Sequence, residues 1–129
     1  MKIYIIDDDH LSIFLTENML LLEYPTLEIR TYLSAHEVLS ALGTEGSDSY
    51  PDIVFLDLNM PAMDGWGFLD ELKQLHPEIK NRCRIFVLTS SLSLADSERS
   101  KDYAIVSGLI HKPLHQLDIK LVFQQKTIN

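Results

Sequence analysis

Five short apolar runs alternate with segments of helical spacing, and no other feature of the chain restricts its fold so strongly. The runs are residues 3–6 (IYII), 27–33 (LEIRTYL), 53–58 (IVFLDL), 84–88 (RIFVL) and 106–111 (VSGLIH). Each has strand length, and the second alternates apolar with polar residues as an outer strand does. After the first run, Leu11, Phe14, Leu15, Asn18, Met19 and Leu22 recur at helical spacing, with Asp9 placed to cap the helix start. Ser34-Ala35-His36-Glu37 carries a capping-box pattern ahead of Val38, Leu39 and Leu42, and Gly43 suits the helix stop. Residues 66–76 read as a third helix closed by Pro77, residues 94–103 as a weak fourth, and Leu117, Leu121 and Val122 mark a fifth. Residues 44–52 (TEGSDSYPD) and 59–65 (NMPAMDG) read as loops.

Strict alternation of five strands and five helices predicts an α/β fold. The expected architecture is a flavodoxin-like, doubly wound parallel sheet with strand order 2-1-3-4-5, helices on both faces and ligands beyond the carboxyl ends of the strands. At 129 residues the chain has the size of one domain. Its 11 Lys and Arg against 19 Asp and Glu give a net charge of −8, which disfavours nonspecific binding to nucleic acid or membrane. A single cysteine, Cys83, excludes an internal disulfide framework and a multi-cysteine zinc site. No uncharged apolar run approaches the roughly 18–20 residues of a membrane span, and no secretory signal precedes the first strand. The expectation is a soluble, cytoplasmic protein.

In that strand order, the polar residues at the strand ends converge on one rim. Asp7, Asp8 and Asp9 end the first run, Asp57 closes the third, Thr89 and Ser90 end the fourth and Lys112 follows the fifth. Carboxylates crowded together raise one another's pKa unless a cation joins them. A hard divalent ion such as Mg²⁺ prefers oxygen ligands and tolerates one or two carboxylates plus water and phosphate. Asp8 and Asp57 are placed to bind it directly, Asp7 through water, and the Asn59 carbonyl is within reach as a further ligand. Lys112 offers a compact charge to a phosphoryl oxygen, and Thr89 a hydroxyl. A carboxylate can attack phosphorus to give an aspartyl phosphate. The constellation reads as an aspartate that accepts a phosphoryl group.

The segments IYIIDDDH, IVFLDLNMPAMDGWGFL, IFVLTSS and LIHKPL resemble the receiver domain of two-component response regulators, over essentially the whole chain. The resemblance implies an acidic pair at Asp7 and Asp8, a phosphoacceptor at Asp57 and a metal-binding carbonyl at Asn59. It further implies a switch hydroxyl at Thr89, a phosphate-binding Lys112 and a cis Lys112–Pro113 bond. The implied donor is a histidine kinase or a histidine phosphotransfer protein. The implied output is a shift of the face made by helix 4, strand 5 and helix 5, read by a downstream protein. The chain departs from the family at Leu109, the switch position where receivers commonly carry a Tyr or Phe that swings inward on activation. The chain's end soon after the fifth helix, with the polar tail QQKTIN, predicts a single receiver domain over residues 1–129 with no output domain.

Two rival readings are weaker. A magnesium phosphatase of the haloacid dehalogenase-like type needs a second acid two residues after its nucleophile, and Asn59 stands there. A phosphorylation-independent adaptor on the same fold would be expected to lose a site residue, and none is lost. His10, His36, His76, His111 and His115 read as solvated, Cys83 as an inert thiol, and Met60 and Met63 as gap-fillers. Trp66 reads as a packing residue near the loop.

Overall fold

The computed structural model describes residues 1–125. Its elements are β1 (Lys2–Ile6), α1 (His10–Glu23), β2 (Glu28–Tyr32), α2 (Ala35–Glu45), β3 (Ile53–Leu56), α3 (Gly65–Leu75), β4 (Arg84–Thr89), α4 (Leu94–Ser100), β5 (Val106–His111) and α5 (Gln116–Gln125). The strands form one sheet in the order β2-β1-β3-β4-β5, every neighbouring pair parallel. The fold class read from the alternation is therefore the one observed. Residues 126–129 of the polar tail lie outside the described residues.

The central strands read as unbroken apolar runs because both faces of the sheet are covered. Tyr4, Ile6, Val54, Leu56, Ile85 and Val87 point to one side, where Val38 and Leu42 of α2 and Phe68, Leu69 and Leu72 of α3 pack on them. Ile3, Ile5, Ile53, Phe55, Phe86 and Leu88 point to the other, against Ile13 and Leu20 of α1 and Ile119, Val122 and Phe123 of α5.

Two readings need correction. The stripe picked out on α1 is not the buried one. Ile13, Thr16 and Leu20 face the sheet, whereas Leu11, Phe14, Leu15 and Leu22 are exposed and Met19 is half-buried. Helix α2 also runs past Gly43. Arg30 of β2 holds Glu45 by two hydrogen bonds of 2.8 and 3.0 Å and secures the last turn. The helix stops at Gly46, whose φ of 83° an L side chain rarely adopts. The loop reading of residues 44–52 thus covers the end of α2 and a single 3-10 turn, Ser47–Ser49. A second 3-10 segment, Pro77–Asn81, follows α3.

The caps at the other helix starts are as expected. Asp9 accepts the Leu11 N–H, Ser34 accepts that of Glu37, and Glu37 in return accepts from the Leu33 N–H. No helix among the described residues is long and apolar enough to cross a membrane.

Candidate functional site

The sheet's hydrogen-bond ladder runs one step beyond the strand ends, and that step builds the site. The Asp57 N–H donates to the Ile6 carbonyl at 2.9 Å, and the Asp7 N–H to that of Tyr32 at 3.0 Å. The Lys112 N–H donates to the Thr89 carbonyl at 2.8 Å. Side chains far apart in sequence are thereby fixed at one carboxyl-end rim. Oxygens of Asp7, Asp8 and Asp57 lie within 4.8 Å of one another. The Lys112 ammonium sits 2.7 Å from Asp7 Oδ2 and 3.7 Å from Asp57 Oδ1.

The loop after β3 brings α3 close against this rim. Gly65 donates its N–H to the Leu58 carbonyl at 3.0 Å. A Cβ built there would stand 2.8 Å from the Asp57 carbonyl oxygen and 2.9 Å from Leu58 Cα, so only glycine fits. Ala62 in the same loop has φ of 66°, a left-handed conformation that costs an alanine energy. Asp64 then caps α3 by accepting from the Gly67 N–H at 2.9 Å.

Asp57 and Asp7 are buried, while Asp8 is exposed. Burial pushes the Asp57 carboxyl up to about 6, with the Asp7 and then the Asp8 carboxylate adding to the effect; Lys112 and the backbone N–H of Asn59 oppose it. One ammonium thus faces three carboxylates. An all-oxygen donor set with an excess of negative charge is what a hard divalent cation requires, so the residues present fit one. Thr89 is fully buried, and its hydroxyl oxygen accepts from Asn59 Nδ2 at 3.3 Å and from the Ser91 N–H at 3.4 Å. The sequence suggested only the carbonyl of Asn59; its amide link to Thr89 was not legible there. The Lys112–Pro113 peptide is cis.

Leu109 stands apart from these polar groups. It is half-buried against the apolar core beneath α2 and α3. Aromatic packing occurs instead between α3 and the segment that follows α4. Trp66, in the first turn of α3, stacks on Tyr103 at 5.5 Å, and the Arg99 guanidinium of α4 lies 5.0 Å above its ring. Tyr103 donates its hydroxyl to Asp70 of α3 at 2.7 Å. Helix α4 buries none of its own residues, and Arg99 is its contact with the Trp66 ring. Among the histidines, His10, His36, His111 and His115 are exposed as expected. His76 is half-buried, with Nδ1 2.7 Å from the Tyr50 hydroxyl, which corrects its solvated reading. Cys83 is buried and its thiol is pushed up to about 12 by that burial, in keeping with an inert residue.

The structure is thus a doubly wound α/β domain that gathers three acids, a threonine and a lysine at the carboxyl-end rim of its parallel sheet. The sequence model of the response regulator receiver domain matches residues 3–124, and the chain belongs to that family. It is 27% identical over 125 residues to hybrid signal transduction histidine kinase L of Dictyostelium discoideum, covering 96% of this chain and 7% of that protein. The chain spans less than half the length of the curated relatives it matches. Its fold superposes on a two-component response regulator from Cytophaga hutchinsonii with a TM-score of 0.92 at 25% identity, covering 99% of this chain and 97% of that one. The phosphorylated cyanobacterial phytochrome response regulator RcpA gives 0.75 at 28% identity, covering 97% and 90%.

Proposed function

We propose that this receiver domain accepts a phosphoryl group on Asp57 from a phosphohistidine of a histidine kinase or histidine phosphotransfer protein. The observation that supports this reading most is the convergence of Asp7, Asp8, Asp57, Thr89 and Lys112 on one rim, with Asp57 buried and Lys112 3.7 Å from it. An Asp57 carboxylate oxygen forms the new bond to phosphorus, and the phosphorus–nitrogen bond to the donor imidazole breaks with its electron pair leaving on nitrogen. Positioning and charge do most of this chemistry. Lys112 neutralises one phosphoryl oxygen, and the Thr89 hydroxyl donates to another once it turns from Asn59. A Mg²⁺ ion held by Asp7, Asp8, Asp57 and the Asn59 carbonyl supplies, when bound, the further positive charge this transfer needs.

Phosphorylation redirects Lys112 and Thr89, and the β4–α4 segment responds because α4 is lightly packed. The face formed by α4, β5 and α5 then changes for a downstream protein in the cytoplasm. The test is intact-protein mass after incubation with acetyl phosphate or phosphoramidate, with and without Mg²⁺. A gain of one phosphoryl group that requires both Mg²⁺ and Asp57 supports the reading. No gain from either donor, or an equal gain in Asp57→Asn, overturns it.

A further inference from the structure

A cavity of about 430 Å³ opens at the amino-end rim of the sheet, the opposite end from Asp57. Its walls are the last turns of α3, the Pro77–Asn81 segment and residues 102–105, which lead from α4 into β5. Leu69, Leu72 and Ile79 are buried beneath it, and Tyr103 and Ile105 are half-buried beside them. The volume lies within the roughly 300–1,000 Å³ of small-molecule sites. Backbone hydrogen bonds fix the walls. The Ile79 N–H donates to the His76 carbonyl at 3.0 Å, and the Cys83 N–H to that of Ile79 at 2.9 Å. On the other wall, the Val106 N–H donates to the Tyr103 carbonyl and the Ile85 N–H to that of Ile105, both at 3.1 Å. His76 is tied back as well, since the Tyr50 hydroxyl that meets its Nδ1 also donates to Glu78 at 2.5 Å.

We propose that this cavity binds a small organic monocarboxylate, with its hydrocarbon body on the leucine and isoleucine side chains and its charge held by Lys73 and Lys80. Charge selects this class. The whole chain carries −8, yet two lysines line this cavity against one acid, Asp102, which leaves a single positive charge there. A monoanion neutralises it. The two ammonium groups are also uncommitted. Lys2, Lys101 and Lys112 each donate to an oxygen of the protein, whereas among the described residues Lys73 and Lys80 have neither an ion pair nor a hydrogen bond at theirs. The walls select the rest of the ligand. A phosphate or a sugar would give up its water to leucine and isoleucine side chains that return no hydrogen bond. A hydrocarbon body gains by the same transfer. None of the lining residues belongs to the Asp57 rim, so the site goes beyond the phosphoacceptor reading and does not depend on it.

Three probes of one shape and different charge test the assignment: 4-phenylbutyrate, 4-phenylbutanol and 4-phenylbutylamine. NMR titration of the unphosphorylated full chain in metal-free buffer follows the methyl signals of Leu69, Leu72, Ile79 and Ile105. The carboxylate is expected to shift them with a Kd below about 1 mM. With about threefold from each lysine, the alcohol should bind about tenfold more weakly, and the amine more weakly still. Lys73→Gln and Lys80→Gln should each weaken the carboxylate about threefold and leave the alcohol unchanged, and Asp102→Asn should tighten the carboxylate about twofold. All three positions are exposed, so these variants keep the fold. Tyr103 lines the cavity and stacks on Trp66, so tryptophan fluorescence should report the same half-saturation. No shift of these methyls at about 10 mM carboxylate, equal binding of acid and alcohol, or tighter binding of the amine overturns the proposal. Shifts centred on Lys112 overturn it too, because they put the carboxylate at the Asp57 rim.

Discussion

Replacing Asp57 by asparagine should stabilise the metal-free protein, although it removes the central residue of the site. The Asp57 carboxyl is pushed from an ordinary 3.8 to about 6, chiefly by burial and then by Asp7. Because the folded value lies above the unfolded one, the folded state holds its proton more tightly. The contribution to stability is present below 3.8 and is lost as pH rises through about 6. At about 1.4 kcal/mol per pH unit, ionised Asp57 withholds about 3 kcal/mol from the fold at pH 8. Asparagine keeps the shape without the charge. Urea denaturation of Asp57→Asn should therefore give about 2–3 kcal/mol more stability than wild type at pH 8, and well under 1 kcal/mol more at pH 4. Saturating Mg²⁺ should narrow the gap at pH 8 by stabilising wild type more than the variant. A variant no more stable than wild type at pH 8, or a difference independent of pH, would refute the claim that this carboxylate is strained by burial and by its acidic neighbours.

Three further outcomes follow from the same geometry. Gly65→Ala drives a Cβ to within 2.8 Å of the Asp57 carbonyl oxygen, so urea unfolding should show a loss of about 2 kcal/mol or more, with slower phosphorylation by acetyl phosphate. Ala62→Gly relieves a φ of 66° at some cost in unfolded-state entropy, and a net gain of about 0.5 kcal/mol is expected from the urea midpoint. Trp66 is the sole tryptophan and lies between the Asp57 loop and Arg99 of α4, so its fluorescence should change on phosphorylation. Arg99→Ala should reduce that change without reducing phosphoryl incorporation measured by mass.

The sheet and the gathering of polar residues at its rim were legible because each rests on a local signal. An aspartate inside IVFLDL has no place in an apolar strand unless something compensates its charge, and the lysine after the fifth run, 3.7 Å from it in the structure, supplies part of that compensation. Alternation of the runs then brings these residues together through strand order alone. Contacts between distant residues were not legible. Arg99 of α4 and Tyr103 after it meet Trp66 only through the tertiary fold, and nothing in their own segments signals a partner. The amide of Asn59 reaches Thr89 across two strand ends for the same reason. Helix α1 misled in another way. It has two faces that could be buried, and the one the sheet takes includes Thr16, whereas the richer apolar face, with Phe14 and the three leucines, points outward. Periodicity finds an amphipathic stripe but does not say whether the core or another molecule covers it.

The central claim is that Asp57 is the residue that carries the phosphoryl group. Borohydride reduces an acyl phosphate to an alcohol and thereby marks its position permanently. The most direct measurement is peptide mapping by mass spectrometry after treatment with acetyl phosphate, Mg²⁺ and then borohydride. The account predicts that residue 57 alone is converted from aspartate to homoserine, and that omitting Mg²⁺ abolishes the conversion. Conversion at Asp7 or Asp8, or none at residue 57 in a protein that has gained phosphoryl mass, would contradict it.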